Sequence, residues 1–407
     1  MIEPDRTAGK SELCPAYHGS AALHRQRHSN YECVLRSPQP HAHFRSMLQQ
    51  VPRSLSGRRL IHGVLFASLS AATAFGGRTA TVTTPAPLTF ETRRTPVARP
   101  PKRTFLPVEW TKTVLVEGSL DSDLLKPGLL DSRGTMLYLF DYGDLSVRAY
   151  DAKGQALWRV GRQGQGPGEF DNPTDLKVDA RGRVWLTDPA NARITVIDAR
   201  GHLVRTIPTT ARVERILPLS TGGFVGFGPS GNATGFARYD SLAQTPVAVI
   251  HPAWMDTASP VVSGLRVAQS PDGRSAAIGQ VHSGRILLMQ STAGGAREIP
   301  VVESQTLPRP IMSSPRARVT VTRRPKDARP LIQAITADTA FVYVLFSGAT
   351  EERGRIVDRY QLRDGTYGGS YRLPESVDDI TAIDGGFAVL MNEPTPALYL
   401  FRRRDSK

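Results

Sequence analysis

Residues 138–161, "YLFDYGDLSVRAYDAKGQALWRVG", and residues 185–208, "WLTDPANARITVIDARGHLVRTIP", are similar to one another. They align without a gap at an offset of 47 residues. Each segment contains an alternating apolar strand, a polar turn with Asp, a second alternating strand, an Asp-x-x-Gly turn and a third strand. Self-similarity of this kind is typical of a fold that is built from repeated units.

A further strand precedes each segment, within residues 128–140 and 173–187. Four short antiparallel strands at a period of about 40–50 residues are typical of a propeller blade. The rest of the chain has the same order of strands in looser sequence, although its last unit contains only three strands. The sequence therefore predicts six blades, at residues 128–161, 173–208, 213–250, 264–300, 331–374 and 378–403.

The segment "WTKTVLVEG" (110–118) is the candidate for the fourth strand of the last blade. A strand from the N-terminal side would close the ring and leave no strand edge unpaired. We therefore predict an all-β fold, a six-bladed β-propeller over residues 105–404 that is closed by an N-terminal strand. Two stacked β-sandwiches are the alternative, but the ungapped offset between the first two units favours the ring.

Residues 161–201, "GRQGQGPGEFDNPTDLKVDARGRVWLTDPANARITVIDARG", resemble the NHL-type repeat. The chain is most similar to the six-bladed propeller proteins that many bacteria export, whose molecular role is generally unassigned. The resemblance is strong over residues 110–208 and weaker up to residue 403. It implies that a turn between two strands is stabilised by Asp188, Asn191 and Arg193.

The glycine-rich segment 161–170 lies between the first predicted blade and the second. It has no lysine after its glycines, and a strand rather than a helix follows it, so it lacks the parts of a phosphate-binding loop. We interpret it as a hinge whose glycines permit tight and left-handed backbone conformations. We expect Glu169 to accept hydrogen bonds from backbone N–H groups and Phe170 to fill the gap between the two blades. The repeat residues of this hinge are Gly164, Gly166, Pro167, Gly168, Glu169 and Phe170.

The formal net charge of +14 would by itself suggest an anionic partner such as a nucleic acid. Residues 1–104, however, hold 15 Lys and Arg against 5 Asp and Glu, and residues 306–330 hold 7 against 1, so the rest of the chain has a slight negative excess. We therefore expect no nucleic-acid binding by the propeller. The basic segment is a candidate site for an unknown protein or an anionic ligand, or else residues 318–322 form an outer blade strand and the rest a solvated connector. Its candidate binding residues are Arg316, Arg318, Arg323, Arg324 and Lys326.

Residues 53–77 have the three parts of a secretory signal. Arginines precede an apolar core, Leu60 to Leu69, and Ala72-Thr73-Ala74 predicts cleavage before Phe75. The core is shorter than the roughly 20 residues that a membrane span needs. We therefore predict a signal peptide over residues 47–74, no stable membrane span after its cleavage, and an exported protein in the periplasm or outside the cell.

Residues 1–46 precede this signal, which predicts that they are an upstream extension or a disordered leader and that translation starts at Met47. The alternative is a cytoplasmic tail before a signal anchor. Residues 75–104 are rich in Thr, Pro and Arg, which is typical of a disordered linker. Both cysteines, at positions 14 and 33, lie in the leader. A mature chain without it would have no disulfide and no thiolate metal site.

Two classes of function remain. The first is a non-catalytic recognition module without a cofactor, which binds a ligand or a protein on one propeller face. The second is a calcium-dependent hydrolase or lyase, similar in outline to propeller lactonases and esterases, because several converging oxygens can hold Ca²⁺ in the channel. We favour the recognition module and expect a monomer. The candidate calcium ligands of the alternative lie near the channel ends of the innermost strands: Asp175, Glu214, Asp378 and Asp379.

Overall fold

The computed structural model describes residues 99–118, 124–210, 212–220, 222–230, 233–240, 248–250, 264–290, 296–306, 311–313, 321–323, 329–348 and 352–404. The predicted leader, the signal peptide and most of the predicted linker lie outside these residues. The described part is almost entirely β-structure, with one short 3-10 turn at Pro189–Asn191. Its strands form six four-stranded antiparallel sheets and one two-stranded ribbon. The prediction of a six-bladed β-propeller is confirmed.

In the first three blades the strands are hydrogen-bonded in sequence order, from the innermost to the outermost. In blades 1 and 2 the middle strands are buried along their length, whereas the outermost strands consist of exposed and half-buried residues. Blade 1 contains β2 (Pro127–Arg133), β3 (Met136–Asp141), β4 (Ser146–Tyr150) and β5 (Ala156–Val160); blade 2 contains β6 (Asp175–Val178), β7 (Val184–Asp188), β8 (Arg193–Ile197) and β9 (Leu203–Pro208); and blade 3 contains β10 (Arg215–Pro218), β11 (Phe224–Ser230), β12 (Ala233–Tyr239) and β13 (Ala248–Ile250).

The last three blades repeat this order, and the sixth takes its outermost strand from the N-terminal side. This strand, β1 (Glu109–Glu117), pairs antiparallel with the last strand of the chain, as the sequence predicts. Blade 4 contains β14 (Leu265–Gln269), β15 (Ser275–Gln280), β16 (Ile286–Gln290) and β17 (Ala296–Ile299); blade 5 contains β20 (Ile332–Ala337), β21 (Phe341–Phe346), β22 (Ile356–Gln361) and β23 (Tyr367–Arg372); and blade 6 contains β24 (Asp379–Ile383), β25 (Gly386–Met391), β26 (Ala397–Arg404) and β1.

Apolar side chains fill the space between each blade and the next. Within the described residues there is one hydrophobic cluster for each of the six contacts between neighbouring blades. One of them joins Leu139 of blade 1 to Leu400 of blade 6, so the ring is closed by packing as well as by β1. A fully buried aliphatic or aromatic side chain contributes about 1.5–3 kcal/mol through its removal from water. These clusters are therefore the main source of stability in the ring.

The Asp-x-x-Gly segments that reveal the repeat form equivalent tight turns before the outermost strands. The Asp151 carboxylate accepts hydrogen bonds from two backbone N–H groups of its own turn, and Asp198 does the same in blade 2. The last turn residues, Gly154 and Gly201, have φ angles of 82° and 87°. This left-handed conformation favours glycine, which is why the spacing recurs in both blades.

The chain before β1 also contacts blade 5. The backbone of Thr104 and Leu106 exchanges hydrogen bonds of 2.9 Å with that of Ser370, in the outermost strand of that blade. The Arg103 guanidinium donates to both carboxylate oxygens of Asp358, at 3.0 and 2.8 Å. The last residues of the predicted linker are therefore fixed to blade 5 immediately before the chain enters blade 6.

The two-stranded ribbon lies between blades 4 and 5 in sequence. It pairs β18 (Ile311–Ser313) with β19 (Val321–Arg323). The alternative in which residues 318–322 form an outer blade strand is wrong, because β17 already occupies that position in blade 4 and Val321 pairs with Ser313 instead. The basic segment is an insertion between two complete blades.

Candidate functional site

A pocket of about 350 Å³ lies at one end of the central channel. It is at the end where the six innermost strands begin, because each of these strands contributes residues from its first half. The turns after β3 and β25 add Tyr142 and Asn392. Most of the polar lining comes from the strand starts and from the segment before β6. The polar and charged lining residues are Tyr142, Asn172, Thr174, Asp175, Lys177, Arg215, Arg266, Gln333, Asp378, Asp379 and Asn392.

On one side of the channel, carboxylates accept hydrogen bonds from the backbone of the next blade. Asp379 in blade 6 accepts one from the Leu130 N–H at 3.2 Å. Asp131 in blade 1 accepts one from the Val178 N–H at 2.8 Å. Asp175 in blade 2 accepts one from the Ile216 N–H at 2.9 Å. Three successive contacts between innermost strands therefore use the same arrangement.

On the other side, the direction of the hydrogen bonds is reversed. Arg215 in blade 3 donates from Nε to the Leu265 carbonyl at 2.9 Å, and Arg266 in blade 4 donates from Nε to the Gln333 carbonyl at 2.9 Å. Gln333 in blade 5 donates from its amide to the carbonyls of Val377 and Asp378, at 2.8 and 3.0 Å. A polar side chain thus joins each innermost strand to the next all the way round the ring.

Arg215 is also bonded to the preceding blade. Its Nη1 donates to the carbonyl oxygen of Glu214 at 2.7 Å and to that of Thr174. Arg266 has a second bond from Nη1 to the Leu265 carbonyl at 3.3 Å. Neither guanidinium lies within ion-pair distance of a carboxylate of the described residues. Both therefore bring a positive charge to the pocket that no direct ion pair neutralises.

Burial changes the acidity of several of these groups. It raises the pKa of the Asp379 carboxyl to about 6, although the positive charges of Lys177 and Arg266 act in the opposite direction. It also raises the pKa of Asp131. Burial and the neighbouring charge of Arg215 lower the pKa of Arg266 to about 10. At neutral pH the Arg266 guanidinium therefore keeps its positive charge, close to that of Arg215.

The four predicted calcium ligands are only partly brought together. Asp175, Asp378 and Asp379 line the pocket, whereas Glu214 does not and pairs with Arg212 at 2.8 Å. Both oxygens of Asp379 accept backbone N–H groups, and the free oxygen of Asp175 lies 3.7 Å from the Lys177 amino group. Across the described ranges, no group of three or more His, Cys, Asp or Glu side chains could hold a metal ion. This donor set does not fit Ca²⁺, which takes six to eight converging oxygens.

The glycine-rich segment lies outside the pocket and forms a compact loop between blades 1 and 2. The Glu169 carboxylate accepts the Gly166 N–H at 2.7 Å and pairs with Arg162 at 2.7 Å. Phe170 is fully buried and packs edge-on against Phe140 of blade 1, with ring centres 5.7 Å apart. Gly164 and Gly168 have positive φ angles of 151° and 74°.

Repeat residues of blade 2 anchor this loop from the other side. Asn191 donates to the Gly164 carbonyl at 3.0 Å and to the Asp188 carboxylate at 2.8 Å. Arg193 donates to the carbonyls of Gln165 and Gly166, at 2.7 and 2.9 Å, and to that of Glu169. The loop's carbonyl groups at residues 164, 165, 166 and 169 therefore accept hydrogen bonds from the protein itself. This is typical of a structural connection between blades rather than of a ligand-binding loop.

The predicted binding residues of the basic segment cannot be placed in the same way. Arg316, Arg318, Arg324 and Lys326 lie outside the described residues, and only the backbone of Arg323 is described. Several polar residues of the channel wall were not predicted from the sequence: Asp131, which lies beside the pocket, and Lys177, Arg215, Arg266 and Gln333, which line it. Each is a polar residue within a short apolar strand, and this is the signal that could have identified them.

No helix among the described residues is long and apolar enough to cross a membrane. No protein-family model and no curated protein matches the sequence, so the NHL-type resemblance remains a prediction. Solved structures do match. A protein of Bacteroides fragilis NCTC 9343 that is predicted to be exported is 10% identical, with a TM-score of 0.46, over 75% of this chain and 98% of that one.

Two enzymes show a similar degree of likeness. A streptogramin B lyase is 13% identical, with a TM-score of 0.43, over 72% of this chain and 98% of its own. A gluconolactonase from Xanthomonas campestris is 13% identical, with a TM-score of 0.44, over 75% of this chain and 95% of its own. At these identities the similarity concerns the propeller fold, and we transfer no activity or compartment from it.

Proposed function

We propose that this chain is an exported, non-catalytic recognition module that binds a small ligand at the mouth of its central channel. The observation that supports this most is the pocket of about 350 Å³ at the start of the innermost strands. Small-molecule sites have volumes of about 300–1,000 Å³ and few, fixed polar groups. Here all six blades contribute to the lining, and hydrogen bonds to neighbouring blades fix several of its polar side chains.

The same hydrogen bonds argue against a calcium-dependent hydrolase. The carboxylates that such an enzyme would use are occupied as acceptors of backbone N–H groups, and moving them would break contacts between blades. Catalysis would also need a nucleophile or a base beside the substrate. The pocket lining contains no Ser, Cys or His, and both oxygens of its Asp379 carboxyl already accept backbone N–H groups.

A ligand screen with a matched pair of variants tests this proposal. Asn172 and Asp171 are both exposed neighbours before β6, but only Asn172 lines the pocket. Asn172→Trp should obstruct the pocket, whereas Asp171→Trp places the same side chain just outside it. Small acids, amines and neutral polyols would be tested for thermal stabilisation, which rises with ligand concentration relative to Kd. At least one of these classes of compound should raise the unfolding temperature of the wild type and of Asp171→Trp. The same compound should raise that of Asn172→Trp much less.

Mass spectrometry of the bound ligand after incubation, with and without added calcium, distinguishes binding from turnover. We expect the ligand to be recovered unchanged in both cases. A chemically converted ligand, or equal stabilisation of the two tryptophan variants, would contradict the proposal. Export is tested separately by N-terminal sequencing of the protein that the native host releases, for which we expect a start at Phe75.

A further inference from the structure

We propose that Arg215 and Arg266 form a subsite for the carboxylate group of a small, singly charged organic acid. The inference rests on the proposed function, since it names the class of ligand that the pocket would take. Arg215 is the first residue of its innermost strand, in blade 3, Arg266 is the second residue of the neighbouring one, in blade 4, and both line the pocket.

The first argument concerns the donors that these side chains leave unused. A guanidinium has five N–H groups and no acceptor. Arg215 and Arg266 each use Nε and Nη1 to bond backbone carbonyls. Their Nη2 groups donate to no residue of the described part of the chain. Each arginine can therefore offer further N–H donors to a carboxylate, the anion whose planar geometry guanidinium groups match best.

The second argument is that the arginines are held in place before any ligand arrives. Arg215 is bonded to carbonyl groups of residues 174, 214 and 265, and Arg266 to those of residues 265 and 333. These carbonyls belong to four successive blades. A donor that is already fixed loses little side-chain freedom on binding, so more of the interaction energy contributes to affinity.

The third argument is the electrostatic imbalance on this side of the pocket. Two half-buried cations that make no ion pair with a described residue lose part of their hydration and repel one another, which is costly unless an anion compensates. The nearest carboxylates do not supply that compensation through direct contact. A bound carboxylate would, and its hydrogen bonds would be of the stronger, charge-assisted kind.

The carboxylates elsewhere in the pocket restrict the charge of the ligand. Asp175 and Asp379 line the same pocket, so a second negative charge on the ligand would be repelled at short range. A singly charged acid is compatible with both sides of the pocket. Its carboxylate can accept hydrogen bonds from the arginines, and hydroxyl groups elsewhere on it can donate hydrogen bonds to the carboxylates. We therefore expect a preference for a monocarboxylate over a doubly charged anion such as sulfate.

Isothermal titration of the folded protein with sodium acetate, lactate and glucuronate tests the subsite, with sodium sulfate and glucose as comparisons at constant ionic strength. At least one monocarboxylate should bind more tightly than both sulfate and glucose, and Arg266→Met should weaken its binding at least tenfold. Arg355→Met is the matched control. Arg355 also donates to backbone carbonyls, at 3.1–3.4 Å from Leu373 and Pro374, but lies outside the pocket lining.

A second measurement uses the wild type alone and so does not depend on the stability of any variant. Phenylglyoxal modification, mapped by peptide mass spectrometry, should be slowed by the bound carboxylate at positions 215 and 266 and unchanged at position 355. Binding that is equally tight in Arg266→Met, tighter binding of sulfate, or absence of protection at both positions would overturn the subsite. If only neutral or cationic compounds bind in a manner sensitive to Asn172→Trp, the carboxylate subsite is wrong while the proposed pocket function stands.

Discussion

The two halves of the channel wall connect neighbouring blades with opposite chemistry. From blade 6 to blade 3, carboxylates of one innermost strand accept backbone N–H groups of the next, beginning with Asp379 and ending with Asp175. From blade 3 to blade 6, Arg215, Arg266 and Gln333 donate to backbone carbonyls of the next strand. The same structural task is performed by acceptors on one side and by donors on the other.

This difference determines which half can bind a ligand. The acidic half is the side with Asp379, Asp131 and Asp175, whose carboxylate oxygens accept hydrogen bonds from backbone N–H groups. Asp379 has both of its oxygens engaged in this way. The basic half is the side with Arg215, Arg266 and Gln333. It retains unused donors, because each guanidinium has five N–H groups and contacts fewer carbonyl groups than that. Polar side chains that stabilise the ring therefore also divide the pocket into an acidic wall and a wall that can accept an anion.

The largest expected effect concerns the acidic half and the pH dependence of stability. The Asp379 carboxyl has a pKa of about 6 in the folded protein against 3.8 as its ordinary value. Between these values the folded state binds more protons than the unfolded state, so the free energy of unfolding falls as pH rises. At about 1.4 kcal/mol per pKa unit, wild type should lose roughly 3 kcal/mol relative to Asp379→Asn between pH 3 and pH 7.

Urea denaturation of both proteins at several pH values measures this difference. Asp131 has a raised pKa as well, but it is present in both proteins and cancels in the comparison. Below about pH 3 the contribution of Asp379 should vanish, because the group is protonated in both states. A difference that stays constant from pH 4 to pH 7 would show that Asp379 ionises as it does in water.

A second comparison removes one side chain from each half. Asp175→Ala leaves the buried Ile216 N–H without its acceptor, which should cost about 1–3 kcal/mol. Arg266→Met also removes hydrogen bonds, but it eliminates a half-buried cation that lies beside the cation of Arg215. We therefore expect Arg266→Met to lower the free energy of unfolding by less than Asp175→Ala does.

Urea denaturation monitored by tryptophan fluorescence checks this order. Asp175→Asn is the control for the acidic half, since it retains an acceptor oxygen and should lose less stability than Asp175→Ala. An Arg266→Met variant that is less stable than Asp175→Ala would mean that the basic half holds the ring together more strongly than the acidic half.

The sequence predicted the ring far better than the pocket, and for a physical reason. Alternation of apolar residues and the Asp-x-x-Gly turns around Asp151 and Asp198 are local features, so they can be read along the chain. The channel wall is formed by strand starts at residues 127, 175, 215, 265, 332 and 379, which belong to six different blades. The sequence indicated that Asp175 and Asp379 lie near the channel, and we interpreted them as metal ligands. Their backbone partners, Ile216 and Leu130, belong to other blades and leave no mark in the local pattern.

The smallest expected effect on stability concerns Gln333, the neutral residue of the basic half. Gln333→Leu removes two amide hydrogen bonds, to the carbonyls of Val377 and Asp378, each worth about 1 kcal/mol. It also removes a buried amide oxygen that accepts no hydrogen bond from the described residues, which offsets part of the loss. We expect a net decrease of about 1 kcal/mol in the free energy of unfolding.

Gln333→Glu should lower the free energy of unfolding clearly more at pH 7, because its carboxylate would face two carbonyl oxygens with no proton to donate. If denaturation shows the glutamate variant to be as stable as the leucine variant, the direction of the hydrogen bonds does not matter at this blade contact, and the contrast between the two halves fails there.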